Sequence, residues 1–420
     1  MAILTQKNQL RGLTKHDFFC VRLMARLSKN LYNETQYAIR QHYELNGTFL
    51  PYNSYYHILK TSANYDKLPS QVAQRTMKSG EHAWKSFFVL LRMKKKGDFV
   101  CQVEKPHFLP KEGYYPCIFP PNQFQVKDGK VRLSLGMWFK KNQHLQHLFF
   151  TLPPHIVGKK IKEIRILPRY NARFFDIEYV YETEPIATLF NASKYLSIDL
   201  GLNNFATVTT SDRASFILEG KGIKSYNRWW NKQKAKLQSQ YDIHGIKFGK
   251  KMARLLEKRR HIIRNFMAQA VHQIVQSCID QKLGQLAIGE LKGIKQHGHL
   301  GKRNNQHFQA IPYGLFKQKL ASKCEIYGIQ YTQVNEAYTS QTCHCCGRVR
   351  KANRVHRGLY RCDMCKTIWN ADINGSINIG KKVASEAFTG LGSSGCVNHP
   401  QRITLVTFGK SGVTVGSHAL

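Results

Sequence analysis

Apolar positions along this chain change their period twice, and each change marks a boundary. Between residues 15 and 96 they fall at helical spacing. The stretch Leu68-Pro-Ser-Gln-Val-Ala-Gln-Arg-Thr-Met77 opens a segment in which Val72, Met77, Trp84, Phe88 and Leu91 keep largely to one face. Pro69 in the first turn and Ser70 beside it are start signals, and Lys94-Lys-Lys-Gly97 is a stop. A helical lobe is therefore expected over 15–96. From 97 to 190 the period falls to two. Gln125 to Leu135 reads as two short strands around an Asp128-Gly129 turn, and Phe175, Ile177, Tyr179 and Tyr181 alternate with polar neighbours. A small β-barrel or an open sheet fits this region, with residues 1–14 as a possible first strand.

The third region begins with an apolar strand that carries Asp199, turns through Gly201 to Asn204 and returns as a second strand to Thr210. Ala214 to Leu218 supplies a third strand after the Ser211-Asp212 turn. Long basic helices follow, in which Leu255, Ile262, Phe266, Ala270 and Ile274 form an apolar stripe. Lys251, Arg254, Lys258 and Arg264 lie largely off that stripe. Next come a buried strand, Gln285-Leu-Ala-Ile-Gly-Glu-Leu291, a helix near Phe316, Leu320 and Cys324, and a strand from Ile329 to Val334. Three hairpin-linked strands, a helix and a strand able to lie beside the first make the start of an RNase H-like α/β sheet. The sheet is expected over 191–336 and again over 369–384. Residues 385–420 are rich in Gly and Ser without a strong period, so a mobile tail is expected there.

Charge changes the picture from fold to partner. Lys and Arg number 64 against 26 Asp and Glu, a formal net charge of +38. Such an excess repels itself unless a polyanion neutralises it. A membrane surface is the competing polyanion, but no apolar run approaches the roughly 20 residues needed to span a bilayer. The N-terminal residues lack the apolar core of a signal peptide, so a reducing, cytoplasmic setting is expected. Basic residues are interleaved with aromatics in Tyr226-Asn-Arg-Trp-Trp230, so Arg228 and Trp229 join Lys251, Arg254, Lys258 and Arg264 as candidate nucleic-acid contacts.

Two constellations carry chemistry. Cys343-x2-Cys346 and Cys362-x2-Cys365 present four thiolates on two tight turns, the spacing of a structural zinc ribbon over 337–368. His344 and Cys345 lie inside the first pair as substitute ligands. Cys20, Cys101, Cys117, Cys278, Cys324 and Cys396 have no ligand spacing and read as core or free thiols. Asp199 interrupts one apolar strand, Glu290 ends another, and Asp372 opens a helical segment after the ribbon. Each alone is an ordinary strand-end or capping acid. Together, on the proposed sheet, they can converge on two divalent ions, with hard oxygen ligands favouring Mg²⁺ or Mn²⁺.

Ser197-Ile-Asp-Leu-Gly201, Ile288-Gly-Glu-Leu-Lys292, Thr339-Ser-Gln-Thr-Cys-His-Cys-Cys-Gly347 and Asn370-Ala-Asp-Ile-Asn374 resemble the split RuvC motifs and zinc ribbon of TnpB. That family comprises transposon-encoded, RNA-guided DNA nucleases related to type V CRISPR effectors. Leu68 to Gln74 and Ala83 to Phe88 resemble it as well. The resemblance implies an α/β multidomain protein: an RNase H-like (RuvC) nuclease domain with an inserted zinc ribbon, plus an N-terminal helical lobe and a small β-barrel. It also implies Asp199, Glu290 and Asp372 as the metal-binding triad, and a transposon-derived guide RNA that pairs with double-stranded target DNA beside a short adjacent motif. The chain is expected to act as a monomer within that ribonucleoprotein. Tyr52 and Gln74 fall where the family contacts the motif, and 296–307 resembles a lid. Two departures stand out: Asn370 where the family often has a second Asp, and Asn374-Gly-Ser376 where Asn-Ala-Ala is common. Gly375 is expected to loosen that helix, because Gly costs roughly 1 kcal/mol in a helix interior. A nuclease-silent RNA-guided repressor, a miniature CRISPR effector and a transposase are the alternative readings.

Overall fold

A computed structural model describes residues 2–186, 189–291, 305–306, 308–356, 358–390, 398–405 and 414–416. The chain divides into two compact units, Met1–Glu184 and Pro185–Leu420.

The first unit opens with β1 (Ala2–Gln9), then α1 (Lys15–Asn46), α2 (Tyr52–Leu59), α3 (Ala63–Asp66) and α4 (Ser70–Lys96). α1 starts at a capping box: the Thr14 hydroxyl accepts from the Asp17 N–H while the Asp17 carboxylate accepts from that of Thr14. It ends at Gly47 in the left-handed conformation, as α4 ends at Gly97. Val72, Met77 and Trp84 are fully buried on α4. Trp84 Nε1 donates to Gln36 Oε1 at 2.8 Å and Tyr55 Oη donates to Glu81 at 2.9 Å, so these two buried aromatic donors are satisfied.

β2 (Cys117–Phe119), β3 (Phe124–Lys127), β4 (Lys130–Ser134), α5 (Met137–Gln143), β5 (His147–Thr151), β6 (Ile161–Arg169) and β7 (Phe174–Thr183) complete the unit. These strands form two separate sheets, in the orders β1-β7-β6-β2 and β3-β4-β5. Of the two expected forms, small barrel or open sheet, the described strands take the second, as two antiparallel sheets. The polar positions that alternate along β7 are themselves enclosed: Asp176 and Glu178 are buried and paired with Lys7, Arg165 and Arg169 from flanking strands.

The second unit begins with β8 (Asn191–Leu200), β9 (Asn204–Thr210) and β10 (Ser215–Glu219), an antiparallel meander. α6 (Lys221–Ile243) and α7 (Lys250–Asp280) follow, and β11 (Leu283–Gly289) returns parallel to β8. After α8 (Tyr313–Tyr327), β12 (Gln330–Val334) pairs in parallel with β11. The ribbon contributes β13 (Leu359–Arg361) and β14 (Ile368–Asn370), which leads without a linker into α9 (Ala371–Lys381). β15 (Gln401–Thr404) and β16 (Thr414–Gly416) close a seven-stranded sheet in the order β12-β11-β8-β9-β10-β15-β16. Phe205, Phe266, Ile274, Leu286 and Phe316 form its core.

The mobile tail expected over 385–420 is corrected in its described parts. β15 pairs in parallel with β10, Ile403 and Leu405 lie in the core of the sheet, and Phe388 packs with Trp369 and Ile377. The short segment Ile403 to Leu405 finds a partner strand distant in sequence, which periodicity cannot show. Cys396 and, apart from 305 and 306, the 296–307 segment lie outside the described residues.

Candidate active site

Asp199 is the penultimate residue of β8, Glu290 follows β11 directly, and Asp372 is the second residue of α9. All three line one cleft of about 730 Å³ at the C-terminal ends of β8 and β11. Ligands in open α/β sheets bind at such strand ends. Asn370 caps α9, its side-chain oxygen accepting the N–H groups of Asp372 and Ile373. The departure from a second Asp at this position therefore supplies the helix start that presents Asp372.

α9 is pinned across the sheet by hydroxyls. Ser376 Oγ donates to the Ser197 carbonyl at 3.0 Å and lies 2.9 Å from Thr209 Oγ1, in a fully buried cluster with Ser197. Gly375 does not interrupt the helix. It faces Asp199, and a Cβ there would stand 2.9 Å from Asp199 Oδ2. The expected loosening is thus replaced by close approach, with α9 running unbroken from Ala371 to Lys381.

The electrostatics of the cleft are those of crowded acids. Burial holds the Asp199 carboxyl well above the usual carboxylate range, and the charges of Glu336 and Asp372 add to this, while Arg354 and the Leu200 N–H oppose it. Asp372 is engaged on both oxygens, by Asn204 Nδ2 at 2.6 Å and Arg354 Nη2 at 2.9 Å. Glu336 was not singled out from the sequence, although it follows the strand at 329–334 much as Glu290 follows its own. It lines the cleft, and burial raises its carboxyl too, against the opposing pull of the Leu291 N–H and Lys317. Its Oε1 is buried without a hydrogen-bond partner. An orphaned carboxylate oxygen in a cleft lined by three further acids offers the hard oxygen donors that Mg²⁺ or Mn²⁺ take. Among the described residues, the cysteines are the only group whose ligand atoms all lie within 4.8 Å of one another. The acids share a cleft but do not form so tight a cluster.

Cys343, Cys346, Cys362 and Cys365 form that cluster. Cys343 and Cys365 sulfurs are 3.6 Å apart and those of Cys346 and Cys362 3.5 Å. Tetrahedral zinc with Zn–S bonds of about 2.3 Å requires sulfur–sulfur edges of about 3.8 Å, so the quartet fits the ion. His344 and Cys345 are not part of it. Burial and then Lys381 lower the His344 pKa to about 4, leaving a neutral ring packed edge-on to Trp369. The knuckle is tied to α9: the His344 N–H donates to Asn374 Oδ1, Asn374 Nδ2 to the Thr342 carbonyl, Asn378 Nδ2 to the Thr339 and Thr342 carbonyls, and Lys381 Nζ to the His344 carbonyl.

The candidate nucleic-acid residues fall on two surfaces. Arg228 and Trp229 on α6 and Lys251, Arg254 and Lys258 on α7 are exposed, Arg264 is half-buried, and Lys258 Nζ lies 5.7 Å from the Trp229 ring centroid. In the first unit, Tyr52 is stacked on Tyr56 and covered by Lys78, while Gln74 Nε2 donates to Tyr65 Oη. No helix among the described residues is long and apolar enough to cross a membrane.

Comparison with known proteins gives matches over both halves of this site. A family model described as a probable transposase matches residues 178–295, and one described as the Cas12f1-like TNB domain matches 313–379. The TnpB-like protein ORF457 of Acidianus two-tailed virus is 24% identical over 407 residues, covering 86% of this chain and 83% of that protein. The putative RNA-guided DNA endonuclease InsQ of Escherichia coli K12 is 23% identical over 331 residues, covering 74% of each. The CRISPR-associated endodeoxyribonuclease Cas12f1 of Sulfoacidibacillus thermotolerans is 27% identical over 220 residues, half of each chain. Among solved structures, that of a Cas12f1-sgRNA-target DNA complex shares the fold, with a TM-score of 0.55 at 13% identity, over 85% of this chain and 81% of that one. The resemblance to TnpB carried by the sequence motifs is borne out by these matches.

Proposed function

We propose that this chain, a relative of the TnpB and Cas12f1 proteins, is an RNA-guided DNA endonuclease that hydrolyses phosphodiesters in the acidic cleft of an RNase H-like, RuvC-type domain. The observation that carries the reading is the assembly of Asp199, Glu290 and Asp372, from three separate elements, in one cleft at the strand ends. Asp199, Glu290 and Asp372 would hold Mg²⁺ or Mn²⁺, which when bound activates water and stabilises the leaving oxygen. Arg354 and Asn204 orient Asp372, and Lys221, Arg354 and Arg402 line the cleft as cations suited to a phosphate backbone. The cysteine quartet binds structural zinc, with no open position for chemistry.

A guide RNA supplies sequence choice, and the basic surfaces hold its backbone. Arg228, Lys251, Arg254, Lys258 and Arg264 neutralise phosphates, and Trp229 offers a stacking face. Tyr52 and Gln74, beside Lys78, contact duplex DNA at the adjacent motif. The test is plasmid cleavage with Mg²⁺ by protein purified with co-expressed flanking transposon RNA, against a randomised adjacent-motif library. Guide-dependent cutting that disappears in Asp199→Ala is the expected result. RNA-dependent binding without cutting would favour a silent repressor instead, and guide-independent strand joining a transposase.

A further inference from the structure

Three neighbouring parallel strands end in the cleft, and each delivers a carboxylate. Asp199 lies at the end of β8, Glu290 directly after β11, and Glu336 two residues after β12. The third of these does not simply project outward. The Glu336 side chain folds back over β11, so closely that a Cβ on Gly289 would overlap its carboxylate. Among the neighbouring charges, that of Glu336 has the largest effect on Asp199, ahead of Asp372. A buried acid set against another acid is unfavourable unless a cation lies with them.

The local donors leave room for one. Lys317 Nζ donates to the Glu290 carbonyl, and Lys382 Nζ to the carbonyls of Asn335 and Ala337. Glu336 Oε1 remains closed off from water and has no hydrogen-bond partner. Leaving a buried acceptor in that state carries its full desolvation penalty. Gly289 is the feature that permits the arrangement, because a Cβ there would overlap the carboxylate and force it to move.

Resting on the nuclease reading above, the geometry points to Glu336 as a further metal-binding carboxylate, contributing an oxygen to the divalent cation held by Asp199 and Glu290. The site then draws on four acids: three from adjacent strand ends and Asp372 from the helix laid across them. Glu336→Gln keeps the shape of the side chain and removes its charge, which makes it the informative substitution.

The experiment is calorimetric titration of Mn²⁺ into the full chain without nucleic acid, at about 0.1 and 0.5 M salt, where the Debye length falls from about 10 Å toward 3 Å. Asp199→Asn is the control, and zinc content and melting temperature check that each variant is folded. Loss of a group that ligates or orients a ligand costs about 10–100-fold in metal affinity. Glu336→Gln is therefore expected to weaken Mn²⁺ binding at least tenfold at both salt concentrations. The Mg²⁺ needed for half-maximal cleavage should rise by a similar factor, and Gly289→Ala should act in the same direction. If Asp199→Asn weakens binding and Glu336→Gln does not, or if the Glu336→Gln effect vanishes at high salt, the inference is overturned while the nuclease reading stands. Unchanged Mn²⁺ binding in both variants would remove the metal cleft itself, and the inference with it.

Discussion

Removing zinc should stop cleavage even though none of the described cysteines lines the cleft. Cys362→Ser takes away one fully buried thiol of the proposed zinc site. Structural zinc contributes on the order of 10–16 kcal/mol in small zinc-binding peptides, against a total of about 5–15 kcal/mol for an ordinary domain, so the ribbon does not survive the loss. Five hydrogen bonds join the knuckle to α9 through His344, Asn374, Asn378 and Lys381. At about 1 kcal/mol net each, the tether that disappears is worth about 5 kcal/mol. α9 carries Asp372, proposed above as a metal-binding acid, and a displacement of about 1 Å in a catalytic group can lower a rate about 100-fold. The assays are zinc content, melting temperature and guide-dependent plasmid cleavage. A fall of at least 100-fold in cleavage, together with zinc loss, is expected. Asn374→Ala with Asn378→Ala should retain zinc but share part of the loss. Zinc-free protein cutting within about twofold of the wild type would refute the coupling of ribbon to cleft.

Two further outcomes follow from the same geometry. Asp199 and Glu336 are held above the usual range chiefly by burial, whereas both titrate near pH 4 in an unfolded chain. The folded state therefore binds more protons above pH 4, and the metal-free protein should lose stability as pH rises through the raised folded values. Melting curves from pH 4 to 8 should show this slope reduced in Asp199→Asn, and stabilisation by Mn²⁺ growing with pH; an unaltered slope in the variant would count against it. Trimming residues 401–420 removes β15 with Ile403, Leu405 and the cleft residue Arg402, so it should abolish cleavage and lower the melting temperature. Removing only 417–420 should leave both unchanged, and retained cutting by the longer truncation would contradict the role of β15.

Much of this arrangement was legible before the structure, because local signals carried it. The alternation through β8 and β9 isolates Asp199 as a charged interruption, and the cysteine spacing specifies the quartet without tertiary information. Glu336 was legible only in part. It follows a recognisable strand, but its approach to Asp199 depends on folding back over Gly289, a residue 47 positions earlier. Arg354 and Asn204 reach Asp372 from a ribbon loop and a strand start, with no shared period. β15 was missed because four residues are too few to show alternation, and because its partner β10 is remote. The open edges of the two sheets in the first unit are likewise set by pairing, not by pattern.

The place of β15 has a consequence for how the protein is made. β10 ends at Glu219, and the strand that covers its open edge begins at Gln401, about 180 residues later. At a synthesis rate of about 5–20 residues per second, the edge stays unpaired for roughly 10–40 s while the ribosome completes the chain. Arg402 reaches the cleft on that same late strand. The first unit and the basic helices α6 and α7 emerge well before the cleft is finished, so under the proposed function the surfaces assigned to RNA are complete long before the site assigned to DNA cleavage.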